Sequence, residues 1–235
     1  MLGRAFRAAL IGLVSLAIPT AARADPYQIN LGLQQTGTAQ WEITAMQDLG
    51  IDKKHNLEIN IRPLATDQAG QVALQTGTVD VILTDFVWVS LQRHQGNMVT
   101  IVPHSLAVGG LMTDPNGKIT SVEDLKGQSI AASGTPVDKS WVILQAYYGK
   151  LTGGNLADDA TVKFGAPPLI AQLLNSGQAA AALNFWSWNA KEQAAGKVEL
   201  ISVPEMLKGL GVETTPPLLG WAFMDSTAAS KPDAI

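Results

Sequence analysis

Two short runs carry the most suggestive chemistry in this chain: Thr36-Gly37-Thr38, with Trp41 behind it, and Ser133-Gly134-Thr135, with Trp141 behind it. Hydroxyls flanking a glycine just before a helix can hold an anion. The unpaired amides of the first turn and the helix dipole both favour negative charge, and glycine lets a ligand approach the backbone. Ser-Gly-Thr is also ordinary turn and N-cap chemistry. Two copies in matching places are what point to a binding site.

The matching extends past the loops. Gln71 to Gly77 running into Asp80 to Thr84 is echoed by Gln172 to Gly177 running into Ala180 to Asn184. At an offset of 100 residues Leu74 matches Leu174, Gly77 matches Gly177, Leu83 matches Leu183 and Trp88 matches Trp188. Two α/β lobes with matching loops describe a molecule that closes on something held between them, a binding protein more than an enzyme.

The elements that must position these loops alternate between strand and helix. Tyr27 to Leu33 and Leu57 to Ile61 read as strands, with a helix from about Thr38 to Leu49 between them. A second helix, Gln68 to Gln75, ends at Gly77 as a left-handed cap. Val79 to Leu83 is a strand buried on both faces, and a helix follows from Phe86 to His94. Val99 to Val102 and Gly110 to Met112 are short strands. Ser121 and Asp124 read as a capping box, Gly127 closes that turn, and Ser129 to Ala132 opens the second lobe. There the order repeats: helix Trp141 to Leu151, strand Thr161 to Phe164, helix Pro168 to Asn175, strand Ala180 to Leu183. Thr214 to Met224 reads as a return crossing, and Ser230 with Pro232 as the start of a further helix. The expected fold class is α/β: two lobes, each a mixed sheet flanked by helices.

In open α/β sheets ligands bind at the carboxyl ends of the strands. Four loops fit that place: Gln34 to Thr38, Thr84 to Phe86, Ser133 to Thr135 and Asn184 to Trp186. The candidate ligand-binding residues are therefore Gln34, Thr36, Gly37, Thr38, Trp41, Thr84, Asp85, Ser133, Gly134, Thr135, Asp138, Asn184 and Trp186. Trp186 and Trp41 can offer a wall for a ring or alkyl group. Asp85 can take a ligand amine or hydroxyl, or cap the next helix. Lys139, beside Asp138, can pair with an anion or face water. The histidines His55, His94 and His104 share no metal-binding or general-base spacing, and no catalytic motif is present. No cofactor and no metal are expected.

Composition narrows the partners. Arg4 and Arg7, the apolar run Ala8 to Ile18 and Ala22-Arg23-Ala24 read as a cleaved secretion signal over residues 1–24. Without its three arginines, 13 basic residues face 20 acidic ones, a charge of −7. Nucleic acid and anionic membrane surfaces, which attract basic patches, are disfavoured. The chain has no cysteine, which excludes disulfides, thiolate metal sites and a lipidated N-terminus. A secreted, unlipidated periplasmic monomer is expected. Its first lobe would occupy residues 25–107, its second 108–217, and the return crossing with an incomplete second part of the first lobe 218–235, where the product reads as truncated.

With these residues in place the chain resembles the periplasmic substrate-binding proteins of ABC importers. It looks nearest to the nitrate/sulfonate/taurine (NMT1/THI5-like) branch, which also holds binders of thiamine-pyrimidine precursors. The resemblance is carried by Val72 to Val81 (L-x-x-G-x-x-D-V), Ser121 to Gly134 (S-V-E-D-L-K-G-Q-S-I-A-A-S-G) and Leu169 to Ala181. It implies a type II binding-protein fold with two hinge crossings, closure over a small-molecule ligand, a membrane permease as partner, and a longer chain whose C-terminal helices complete the first lobe. Relatives often carry an acidic W-E-P-like run after the second repeat. Here Asn184-Phe185-Trp186 stands instead, which suits an organic ring or alkyl tail better than nitrate.

The expected function is capture of a small organic anion, sulfonate- or carboxylate-like, for an ABC importer. The alternatives are a thiamine-pyrimidine-type ligand, or a periplasmic sensing or accessory role without transport. Pyrimidine-precursor synthases share the fold but resemble cysteine- and histidine-dependent, cofactor-bearing enzymes. The lack of cysteine and the secretion signal count against that activity.

Overall fold

In the computed structural model, which describes residues 25–235, the alternating segments form strands and the amphipathic ones form helices. The secretion signal read at residues 1–24 lies outside the described residues. The first series is β1 (Tyr27–Gln34), α1 (Ala39–Asp48), α2 (Ile51–Lys54), β2 (Leu57–Leu64), α3 (Asp67–Gln75), β3 (Val81–Asp85), α4 (Phe86–His94) and β4 (Val99–Ser105). The second is β5 (Gly110–Thr113), β6 (Ser129–Ser133), α5 (Lys139–Thr152), α6 (Leu156–Asp159), β7 (Thr161–Gly165), α7 (Pro167–Asn175), β8 (Ala181–Asn184), α8 (Trp186–Ala194), β9 (Val198–Ser202) and α9 (Val203–Leu210). The chain then returns through β10 (Leu219–Met224) and α10 (Asp225–Ser230).

The strands make two five-stranded sheets with the same topology, β2-β1-β3-β10-β4 and β7-β6-β8-β5-β9. In each, four strands run in the same direction, and the fourth place is taken by the one antiparallel strand, β10 or β5. That antiparallel strand is the one delivered by a crossing from the other sheet: β5 enters after β4, and β10 enters after α9. Two crossings between the sheets follow directly. The repeat seen at an offset of 100 residues is structural: α3 pairs with α7, β3 with β8 and α4 with α8. Gly77 and Gly177 both hold φ +71 where α3 and α7 end, a conformation glycine adopts without steric cost.

Each sheet packs its own core. Ile29, Leu31, Leu33, Ile43 and Val81 bury against one face of the first sheet, and Leu74, Val79, Ile82, Trp88 and Val89 against the other. The second sheet is filled by Leu111, Ile130, Trp141, Leu144 and Tyr148 on one face and by Met112, Ile170 and Leu174 on the other. Side chains of this size contribute roughly 1.5–3 kcal/mol each on burial. The sheets are therefore stiff units, and the space between them is where a site can form.

Three local expectations are corrected. β3 runs on to Asp85 and β8 to Asn184, so the loops expected there are direct strand-to-helix junctions. Asp124 Oδ2 accepts from the Thr120 and Ser121 amides at 2.9 Å, but the turn that follows is a short 3-10 turn capped by no side chain, so only half a capping box forms. Ser230 ends α10 and starts no helix; its hydroxyl donates to the Thr227 carbonyl. Sequence reading passed over β9 and α9, although Ser202 and Glu205 form a full capping box there with Pro204 in the first turn.

Candidate ligand cleft

A cavity of about 90 Å³ opens between the sheets at the carboxyl ends of β1, β3 and β8. One side is formed by Leu33, Gln34, Thr36, Gly37, Thr38, Asp67, Leu83, Thr84 and Asp85. The other side is formed by Lys139, Ser140, Phe185, Trp186 and Ser187, and the crossings contribute Ala107, Val108 and Leu219. The lining is apolar except at a few convergent polar groups, as expected of a small-molecule site.

Helix N-termini dominate the electrostatics, and each has been dealt with differently. Asp85 caps α4, its Oδ1 accepting from the Trp88 amide at 2.9 Å. Asp138 caps α5, with Oδ1 accepting from the Ser140 amide at 2.8 Å. At α3 the cap is Thr66, whose hydroxyl accepts from Ala69, and Asp67 is the first helical residue. These carboxylates occupy the places an external anion would otherwise take. At α7 the first helical residues are Pro167 and Pro168, which have no amide to offer. Of the helices that start at the cleft, two remain open. Neither α1, preceded by Thr38, nor α8, preceded by Phe185, has a side-chain cap. The Trp41 and Trp188 amides turn back to the Thr38 and Phe185 carbonyls; the amides before them have no partner within the helix, and residues at both starts line the same cavity.

Beside the start of α8 stands a charged cluster. Lys139 is buried, its Nζ 3.4 Å from Asp138 Oδ2 and 5.1 Å from the centre of the Phe185 ring. Burial alone would lower the lysine pKa, but Asp138, Asp85 and Asp67 together outweigh it and hold the ammonium above its ordinary value. Burial pushes the Asp85 carboxyl up. Burial also pushes Asp67 up to about 7, opposed by Lys139 and reinforced by Asp138 and Asp85. Asp67 Oδ1 accepts a 2.6 Å hydrogen bond from Gln34 Nε2.

The structure sorts the candidate residues. Gln34, Thr36, Gly37, Thr38, Thr84, Asp85 and Trp186 line the cavity. Gly134 and Thr135 line a neighbouring cavity of about 250 Å³ together with Phe164 and Pro167. The second hydroxyl loop is largely committed to its own architecture: the Gly134 amide donates to the Gly165 carbonyl, and Thr135 Oγ1 accepts from the Val137 amide. Ser133 and Asn184 are buried beneath the cleft, where Ser133 Oγ donates to Asn184 Oδ1 at 2.6 Å. Asn184 Nδ2 donates to the Pro167 carbonyl and to Glu192 Oε1, and burial raises the Glu192 pKa. Asp138 lines neither cavity and acts through Lys139. Trp41 is 66% exposed and lines neither cavity. Ala39 and Ile43 turn the opposite face of α1 to the core.

Asp67 and Ser187 were absent from the candidate set, and Lys139 was weighed only as an anion partner or a solvated charge. Asp67 had a signal, an acidic residue directly after the cap of a helix that follows a strand. Nothing local marks Lys139 as buried. The true counterpart of the Thr36–Thr38 turn at the open helix starts is Phe185 to Ser187, which has no hydroxyl–glycine signature.

The descriptor NMT1/THI5 like belongs to the family model matching residues 43–216. No curated protein matches the chain. The alkanesulfonate-binding protein SsuA of Xanthomonas axonopodis pv. citri, solved with MOPS bound, superimposes with a TM-score of 0.68 at 18% identity, covering 89% of this chain and 70% of that one. The periplasmic aliphatic sulphonate binding protein SsuA of Escherichia coli gives 0.66 at 16% identity, over 88% and 68%. The VFT2 domain of Bordetella pertussis BvgS gives 0.61 at 14% identity, over 90% and 86%. These likenesses establish the type II periplasmic-binding-protein fold expected from the sequence. With its matched segment covering most of the described residues, the chain belongs to the NMT1/THI5-like family.

Proposed function

We propose that the chain is a periplasmic solute-binding receptor that captures a small organic anion, sulfonate- or carboxylate-like, between its two sheets and hands it to an ABC importer. The observation that carries the reading is the meeting of two uncapped helix starts, α1 and α8, one beside each sheet, in one cavity. An anionic head held there would touch both halves at once, so binding would favour the closed arrangement. Leu33, Leu83 and Trp186 provide the apolar wall for the rest of the solute. The sulfonate-binding function in the names of the two SsuA proteins agrees with this chemistry.

A second reading is favoured by the aspartates. Asp67 and Asp85 line the same cavity and can accept N–H groups, as an aminopyrimidine of the thiamine-precursor type would supply. Titration calorimetry of the purified chain with ethanesulfonate, butyrate, taurine and an aminopyrimidine separates the two. Binding of the simple sulfonate or carboxylate supports the first reading. Binding confined to the aminopyrimidine replaces it with the second.

A further inference from the structure

The two cavities share Gln34, Thr66 and Asp67. Beyond that shared wall the larger one is lined by Gln68 on one side and by Gly134, Thr135, Pro136, Phe164, Ala166 and Pro167 on the other. Phe164, Pro136, Ala166 and Pro167 give it a surface that suits a hydrocarbon, beside polar groups from Gln34, Thr66, Asp67, Gln68 and Thr135. At that shared wall Gln34 Nε2 donates a 2.6 Å hydrogen bond to Asp67 Oδ1. The two ends of this bond differ in freedom. Asp67 is anchored in the first turn of α3, directly after a satisfied cap. The Gln34 backbone is also pinned, since its carbonyl accepts from the Gly37 amide and from Gln40 Nε2. The Gln34 side chain, with three rotatable bonds, is the part that can swing.

We infer that the larger cavity is a subsite for the tail of an extended organic solute, alkyl or aryl, and that the Gln34–Asp67 hydrogen bond is the partition that limits solute length. This rests on the reading that the anionic head sits between α1 and α8. A head of that kind leaves its tail pointing past Gln34, where the partition either stops it or yields. Gln34 is then a specificity-determining residue: closed, the cleft selects short solutes, and open, it gives the tail the Phe164 and proline surfaces of the second chamber.

The test is a length series, from ethane- to octanesulfonate, titrated by calorimetry into the wild-type chain, Gln34→Ala and Ala166→Leu. The wild type should show an optimum at short length. Gln34→Ala should move that optimum toward longer chains, each methylene that enters the second cavity tightening binding about fourfold. Ala166→Leu, which fills that cavity from its far side, should lose long solutes and keep the short-chain optimum. A Gln34→Ala profile parallel to the wild type, or an Ala166→Leu variant that still favours long chains, overturns the subsite while leaving the head-group reading standing. No binding by the wild type of any sulfonate in the series, nor of the carboxylates of the same lengths, overturns both. Should Gln34→Ala fail to fold, the Ala166→Leu profile decides alone.

Discussion

The ammonium of Lys139 lies 3.4 Å from the carboxylate of Asp138, and both side chains are at most 5% exposed. The pair belongs to α5, yet its field reaches Asp67 and Asp85, which belong to the other sheet. One lysine thus offsets carboxylates from both halves of the cleft. Replacing Lys139 by methionine keeps the volume and leaves those charges uncompensated. A loss of about 3 kcal/mol of stability at neutral pH is expected, in line with the removal of one partner from a buried pair. Urea unfolding of the two proteins measures it, and a difference below about 1 kcal/mol would show that water reaches the cluster.

Asp67 gives the molecule a pH response of definite sign. Its native pKa is raised to about 7 from an ordinary value of 3.8. Between those two values the native state holds a proton that the unfolded state has released. The group therefore favours folding most at low pH, and its contribution falls as pH rises from about 4 toward 7. Asp67→Asn keeps an acceptor for Gln34 but cannot titrate. Compared with it, the wild type should lose stability across that window. Parallel stability–pH curves for the two proteins would rule this out.

The two hydroxyl loops should now behave differently. Thr36 lines the cavity at the open start of α1, whereas the Thr135 hydroxyl is engaged by Val137 in its own turn. Thr36→Val is expected to weaken binding of a short anion by about 1–3 kcal/mol, the cost of leaving a buried polar ligand group unpaired. Thr135→Val should change it by less than about 0.5 kcal/mol, the range of a substitution away from the contact. Equal losses at the two sites would return the Ser133–Thr135 loop to the head-group site.

Gly109 lies at the crossing from the first sheet to the second. A Cβ there would collide with the backbone carbonyl of Asn184, at the end of β8. No rotamer change relieves a clash with backbone. Gly109→Ala is expected to cost about 3 kcal/mol, the upper part of the range for overpacking. A lowered melting temperature checks this, and an unchanged one would show that the crossing can shift at little cost.

Much of this architecture was legible because it is written in local periodicity. The offset that aligns Leu74 with Leu174 and Gly77 with Gly177 became two helices and two left-handed caps in equivalent places. The site was legible only in part. Trp41 stands two residues from both Ala39 and Ile43, so on a helix it must face away from the side that packs. Nearness in sequence to a promising loop concealed that. Lys139 and Asp67 sit on different halves of the chain, and each alone reads as a solvated charge near a helix start. Only the packing of one sheet against the other turns them into a buried cluster. Ser133 and Thr135 show the same limit: hydrogen bonds inside the fold, from Ser133 Oγ to Asn184 and from the Val137 amide to Thr135 Oγ1, are invisible in the sequence.

The placement of β10 has a consequence for how the chain reaches this structure. The second sheet is drawn from one unbroken stretch, β5 to β9, and can assemble without waiting for any other part. The first sheet cannot. Its fourth place, between β3 and β4, is filled by a strand in which Leu219 pairs with Asp85 and with Ser105. Closing that gap means joining distant parts of the chain, a slow event because the entropy of a long loop is lost before the contact forms. Until then β3 and β4 each expose an unsatisfied edge, the kind of surface on which chains associate with one another. The half that folds last is the half that supplies Thr36, Asp67 and Asp85, so the cleft is completed only when the final strand arrives.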